Sequence, residues 1–134
     1  MKSTEQPTAA DSRFKGKGGL ARIVFALYNS IAGLKAAWSH ERAFRQEVLL
    51  AAILVPVAAW VAVTPAERAL LLGSVLLVLV VELLNSSVES TIDRVSSEIH
   101  PLSKRAKDLG SAAVLVSLIL CGTVWACILV PRYV

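Results

Sequence analysis

A chain of 134 residues is long enough for one domain but not for two. Its composition is 55% hydrophobic with a mean hydropathy of +0.62, whereas soluble domains are about 45–50% apolar. The net charge of +4 comes from basic residues gathered in two stretches, from Lys2 to Arg45 and from Arg94 to Lys107. This distribution is typical of membrane topology. It excludes nucleic acid as a partner, because a nucleic-acid binder needs a basic face on a soluble fold.

The N-terminal part divides into a polar tail and an amphipathic helix. Residues 1–19 hold almost nothing apolar, so they are predicted to be a disordered cytoplasmic tail. From residue 20, apolar residues recur at spacings of three and four while polar residues occupy the other side. This pattern predicts a surface helix over residues 20–40 that lies in the membrane interface. The apolar positions are Leu20, Ile23, Leu27, Ile31, Leu34 and Trp38.

Three apolar stretches follow, and they predict an all-α integral membrane protein with transmembrane helices at residues 46–64, 67–94 and 107–131. The second stretch has only 13 uncharged residues before Glu82. Thirteen residues make a helix of about 20 Å, which is short of the ~30 Å hydrocarbon core. The helix is therefore predicted to continue through Glu82 and Glu89 toward Asp93. Thr64 and Pro65 are the predicted start of this helix.

The basic residues orient the spans. The segment before the first span and the loop between the second and third hold twelve of the 14 Lys and Arg residues, whereas the other two connections hold only Arg68 and Arg132. By the positive-inside rule the N-terminus is cytoplasmic and the C-terminus is on the outer side.

Glu82 is the most informative residue, because an ionisable side chain within a span is costly and usually functional. Glu82, Asn85, Glu89 and Asp93 share one helical face with Ser86. Two carboxylates and a carboxamide can carry out acid–base chemistry and hold a divalent cation, and Mg²⁺ prefers one or two carboxylates with substrate phosphates. Asn85 and Ser86 alone would be interpreted as polar contacts between helices.

Two further charges lie at the same membrane level. Glu41, at the junction of the surface helix and the first span, is level with Glu89, so a shared metal is geometrically possible. Lys107 lies at the membrane edge and is a candidate phosphate ligand, whereas Lys104 and Arg105 fit simple anchoring. The sequence contains neither a P-loop nor a protein-kinase signature, so any use of ATP must follow another plan.

Two stretches carry a specific resemblance. AAWSHERAFRQE (residues 36–47) and VELLNSSVESTIDRVSSEIHPLSKRAKDLGSAAVL (residues 81–115) resemble the bacterial integral-membrane diacylglycerol kinase family. The resemblance runs from about Arg22 to the end of the third span, a membrane kinase domain of residues 20–134. It implies a homotrimeric bundle in a Gram-negative inner membrane, with active sites shared between neighbouring chains. It also implies ATP and diacylglycerol as substrates, phosphatidic acid as product, and Mg²⁺ as cofactor.

The resemblance also implies roles for single residues. Glu82 is expected to be the general base that takes the proton of the lipid 3-hydroxyl. Asn85 is expected to orient Glu82 or the substrate, and Glu41 and Glu89 are expected to bind the metal. The lipid is expected to contact Arg22, Glu82 and Ser111. The tyrosine that contacts ATP in some family members falls on Asn29 here, beside Tyr28. The expected ATP contacts are Arg22, Asn29, Glu41, Glu89, Glu98, Ile99, His100, Lys107 and Asp108.

Two alternatives stay open at this point. An undecaprenol kinase would use the same chemistry on another lipid. The sequence from Ser97 to Asp108, however, is more similar to the diacylglycerol kinases of the family. A small oligomeric channel or transporter would use Glu82 as an ion site, but it would leave Arg22, Glu41 and Lys107 without a role.

Overall fold

The structure is a computed structural model that describes residues 19–62, 64–95 and 100–134. These residues form four helices, which are α1 (Gly19–His40), α2 (Arg42–Val61), α3 (Pro65–Val95) and α4 (Pro101–Tyr133). The described residues contain no strand, so the prediction of an all-helical fold is confirmed. The predicted tail at residues 1–19 falls outside the described residues except for Gly19, with which α1 begins.

All four described helices are long and apolar enough to cross a membrane, and α1 is the least apolar of them. The chain divides into two compact units, residues 1–36 and residues 37–134. In the first unit, the described residues are the first eighteen of α1, and their apolar side chains are exposed. The second unit contains the last turn of α1 and the helices α2, α3 and α4.

Helix α3 is continuous over 31 residues and includes Glu82 and Glu89, as the short apolar stretch predicts. At 1.5 Å per residue it is about 46 Å long, so it exceeds a hydrocarbon core of ~30 Å by roughly three turns. Those turns carry the polar face. Helix α2 ends at Val61, before the predicted end of the first span at residue 64.

Local hydrogen bonds define where α3 and α4 begin. The Glu67 backbone N–H donates to the Thr64 hydroxyl oxygen at 3.1 Å, and the Thr64 N–H donates to a Glu67 carboxylate oxygen at 3.0 Å. This reciprocal pair is a capping box, and Pro65 takes the first helical position. His100 caps α4 in a similar way, since its Nδ1 accepts from the Leu102 N–H at 3.2 Å.

Small side chains allow the helices of the second unit to pack closely. Helix α3 contacts both α2 and α4. The buried residues of these helices include alanines and serines, which allow close backbone approach in membrane bundles. The buried small residues are Ala51, Ala58, Ala62, Ser74, Ser86 and Ser117. At the end where α3 begins, Ala58, Ala62 and Leu71 form a buried cluster to which Val124 and Trp125 of α4 are added.

Candidate active site

The site is built around Glu82, a buried carboxylate in the C-terminal half of α3. Only 4% of Glu82 is exposed. Its side chain is therefore largely removed from water, in which an acid is normally found. The Glu82 carboxylate is repelled electrostatically by Glu41 and by Glu89. These three acids come from two parts of the fold, since Glu41 directly precedes α2 whereas Glu82 and Glu89 both lie on α3.

Exposure increases along α3 from Glu82 toward its C-terminal end. Glu82 and Ser86 are buried, Asn85 and Glu89 are half-buried, and Asp93 is exposed. These residues share one face of α3, as their spacing predicts. The gradient gives a polar path from the exposed end of the helix down to the buried acid.

Glu41 occupies the one residue between α1 and α2 and is the N-cap residue of α2. Its backbone is extended, with φ −103° and ψ 114°, and its side chain makes no capping hydrogen bond. A capping acid normally accepts from the backbone N–H groups of the first turn. Because the Glu41 carboxylate is not used in this way and lies near Glu82, its position suits a ligand better than a cap.

Asn85 is hydrogen-bonded to Glu89 on this acidic face. Its Nδ2 donates to Glu89 Oε1 at 3.1 Å, and this bond holds the Glu89 carboxylate in one orientation. The Asn85 Oδ1 atom is buried and has no hydrogen-bond partner among the residues that the structure describes. An unsatisfied buried carbonyl costs free energy unless something binds it.

Lys107, the predicted phosphate ligand, forms an ion pair across the helices. Its Nζ donates to Asp93 Oδ1 at 2.5 Å and so joins the ends of α3 and α4. Asp108 pairs with Lys104 at 2.6 Å, one turn back on the same exposed face. The spacing predicts only that Asp93 lies on the polar face of α3. The structure shows in addition that Asp93 forms an ion pair with Lys107.

Glu47 is a fourth acid, and the sequence analysis gave it no role in the site. Its carboxylate and that of Glu82 repel each other. Its Oε2 atom is buried without a partner among the described residues, and it lines a cavity whose other walls are mainly apolar side chains of α2, α3 and α4. One signal was present in the sequence, because the positions three and four away from Glu47 are all apolar: Ala43, Phe44, Leu50 and Ala51.

The structure does not test the remaining predicted site residues. Arg22 and Asn29 are exposed on α1 in the other unit, residues 1–36. Ser111 is exposed on α4, and His100 is the α4 cap. Glu98 and Ile99 lie outside the described residues. The contacts predicted for these six residues with ATP or lipid stay predictions.

The acids suit a magnesium ion that is shared with a phosphate. Within residues 19–62, 64–95 and 100–134, no three His, Cys, Asp or Glu side chains form a group that could hold a metal by itself. Mg²⁺ does not need such a cage, since one or two carboxylates with substrate phosphates and water complete its shell. Glu41 and Glu89 are two carboxylates that could serve in this way, and their electrostatic repulsion with Glu82 would be relieved by a cation.

The described elements are all helices long and apolar enough to cross a membrane, and one of them carries a buried acid, so the chain is of the multi-pass membrane class. Residues 28–129 match the family described as "Prokaryotic diacylglycerol kinase". The chain belongs to this family, and it is a kinase.

Three relatives show how far the similarity extends. The diacylglycerol kinase of Pseudomonas aeruginosa is 55% identical over 118 residues, which cover 88% of this chain and 96% of that protein. The diacylglycerol kinase of Escherichia coli K12 is 50% identical over 111 residues, covering 83% and 90%. The diacylglycerol kinase of Haemophilus influenzae is 47% identical over 111 residues, covering 83% and 94%. The acidic site on α2 and α3 lies within the matched residues 28–129.

Proposed function

We propose that this chain transfers the γ-phosphoryl group of ATP to the 3-hydroxyl of sn-1,2-diacylglycerol, giving phosphatidic acid at the cytoplasmic membrane face. The observation that carries the proposal is the buried Glu82, surrounded by Glu41 and Glu89, in a chain of the diacylglycerol kinase family. A buried acid at the edge of the hydrocarbon is accessible to a lipid hydroxyl. The exposed end of α3 is accessible to a water-soluble nucleotide.

Glu82 is the general base of the proposed mechanism. Its carboxylate accepts the proton of the 3-hydroxyl, and the hydroxyl oxygen forms a bond to the γ-phosphorus of ATP. The bond from that phosphorus to the β–γ bridging oxygen breaks, and ADP leaves with the electron pair. A base in a partly apolar site suits this step, because burial makes a carboxylate a better proton acceptor.

Glu41 and Glu89 are the proposed metal ligands, and Asn85 orients Glu89. Bound there, Mg²⁺ would neutralise the negative charge of the ATP phosphates, which is the main requirement of phosphoryl transfer. Lys107 is proposed to exchange Asp93 for a phosphate oxygen, since a 2.5 Å pair at an exposed helix end can be reorganised by a more highly charged anion. The other proposed contacts are Arg22, Asn29, Glu98, Ile99, His100 and Asp108 with ATP, and Arg22 and Ser111 with lipid.

The proposed assembly is a homotrimer in a Gram-negative inner membrane, with three spans per chain, α1 on the cytoplasmic surface and the C-terminus in the periplasm. The low apolar content of α1 relative to the other helices supports its surface position.

The test is transfer of labelled γ-phosphate from ATP to diacylglycerol by protein purified in detergent. We expect Glu82→Gln to fold and to lose at least about a thousandfold in turnover, as removal of a general base does. Glu67→Gln is the matched control, because it removes one negative charge from the same helix about 22 Å away. Full turnover in Glu82→Gln would overturn the base assignment, and faster transfer to undecaprenol would assign the chain to that lipid.

A further inference from the structure

Gly110 on α4 lies directly against the side chain of Asn85 on α3. A Cβ atom built at Gly110 would overlap Asn85 Oδ1 and would lie 3.2 Å from Asn85 Cγ. The carboxamide therefore occupies the space that any other residue at position 110 would fill with its own side chain. To make room for a side chain at position 110, the Asn85 carboxamide would have to move, and its Nδ2 would lose the hydrogen bond to Glu89.

The other glycines of the described helices are different. A Cβ atom at Gly19, Gly33, Gly73 or Gly122 would meet nothing within 4 Å. Glycine in a helix interior is unfavourable relative to alanine because of its backbone entropy. Of the five glycines described, Gly110 alone has a steric reason to be there, and the reason is the position of one polar side chain.

We propose that Gly110 is a positioning residue for the magnesium site, an inference that rests on the proposed function. The missing side chain lets Asn85 lie against α4 with its Nδ2 3.1 Å from Glu89 Oε1. That hydrogen bond fixes the carboxylate that is proposed to bind the metal. Gly110 thus acts on the metal through two intermediates, Asn85 and Glu89, without touching substrate.

Gly110→Ala displaces the Asn85 carboxamide and breaks its bond to Glu89. A hydrogen bond to a charged group is among the stronger ones, so we expect about a tenfold rise in the Mg²⁺ concentration needed for half-maximal transfer. The KM for diacylglycerol is expected to stay within about twofold, because the lipid hydroxyl faces Glu82. A merely structural role would lower the amount of active protein without changing the metal requirement.

The direct measurement is Mn²⁺ binding, followed by electron paramagnetic resonance in the presence of a non-hydrolysable ATP analogue. We expect Gly110→Ala to bind Mn²⁺ about tenfold more weakly than the wild type, and Gly122→Ala, on the same helix, to bind it equally well. Wild-type affinity in Gly110→Ala would overturn the inference. Glu89→Gln distinguishes the proposed metal site from the proposed role of Gly110. If this variant binds Mn²⁺ as the wild type does, Glu89 is not a metal ligand and the role of Gly110 is contradicted as well.

A double variant shows whether Gly110 acts through Asn85. In an Asn85→Ala background the added methyl group meets no carboxamide, so Gly110→Ala is expected to cost no further Mn²⁺ affinity. A second loss of about tenfold in that background would overturn the inference. If Gly110→Ala alone fails to fold, a folded double variant would support the steric conflict with Asn85. A double variant that also fails to fold would contradict it.

Discussion

At the scale of single residues, burial of the Glu47 carboxylate costs free energy of folding. A buried carboxylate oxygen without a partner is expensive, and its repulsion with Glu82 adds to the cost. Features that destabilise a fold persist at functional sites because they serve binding or catalysis. We infer that Glu47 adds to the negative field that draws a cation toward Glu41 and Glu89.

Replacing Glu47 by Gln separates stability from function. The change keeps the shape but removes a negative charge whose Oε2 atom has no hydrogen-bond partner among the described residues. We therefore expect the free energy of unfolding to stay equal or to rise by about 1 kcal/mol. Turnover at saturating Mg²⁺ is expected to change less than in Glu82→Gln, while the Mg²⁺ requirement rises several-fold. The measurement is a Mg²⁺ titration of transfer beside denaturant unfolding in mixed micelles. A large loss of stability would show that Glu47 has a partner after all.

The sequence predicted the part of the site that lies on one helix. Glu82, Asn85 and Glu89 follow from the helical period, and the structure confirms that they share a face. Contacts between helices were not predictable in the same way. The pairing of Lys107 with Asp93, and of Gly110 with Asn85, depends on how α3 and α4 are rotated against each other, which no periodicity within one helix determines.

At the scale of elements, the length of an apolar stretch predicted the extent of a helix better than local sequence predicted where a helix ends. Thirteen uncharged residues cannot cross a membrane, and that alone required α3 to continue into the polar segment. The end of α2 was less predictable, because residues 62–64 are as apolar or neutral as the helix before them. The sequence of α1 is compatible with a surface helix and with a membrane span, because the helix is long and apolar enough for either.

The capping box at the start of α3 gives a prediction for this element. Thr64→Ala removes the hydroxyl that accepts from the Glu67 N–H, so we expect a loss of about 1 kcal/mol in the free energy of unfolding. Thr123→Ala is the matched control, because the Thr123 hydroxyl only donates back to the Ile119 carbonyl within α4. Unfolding of both variants in mixed micelles provides the comparison. Equal losses in the two would contradict a specific role for the cap.

At the scale of the whole molecule, the two ends of the second unit differ in the residues they contain. The acids, Lys107 and Asp93 lie at the end where α3 finishes, and a dense apolar cluster with an ion pair lies where α3 begins. There, Arg132 Nη2 donates to both carboxylate oxygens of Glu67, at 3.0 and 3.2 Å, and Nη1 donates to the Val61 carbonyl. One guanidinium therefore ties together α2, α3 and α4.

This arrangement predicts that stability and catalysis can be changed separately. Arg132→Ala breaks three hydrogen bonds of a half-buried cation, so we expect a loss of about 1–2 kcal/mol in the free energy of unfolding. Arg132→Lys should recover only part of it, because an ammonium cannot reproduce the planar fork that serves a carboxylate and a carbonyl together. Arg68→Ala removes an exposed cation at the same end and should change the free energy of unfolding by less than about 0.5 kcal/mol.

Turnover per folded molecule is expected to be unchanged in Arg132→Ala, since about 22 Å of helix separates Glu67 from Glu82. The loss should also be less than additive with that of Glu67→Gln, because the two residues share one interaction. Unfolding in mixed micelles and phosphoryl transfer at one temperature test both statements on the same samples. A drop in turnover that matches the drop in stability would mean that the rigid end of α3 controls the geometry of its acidic end.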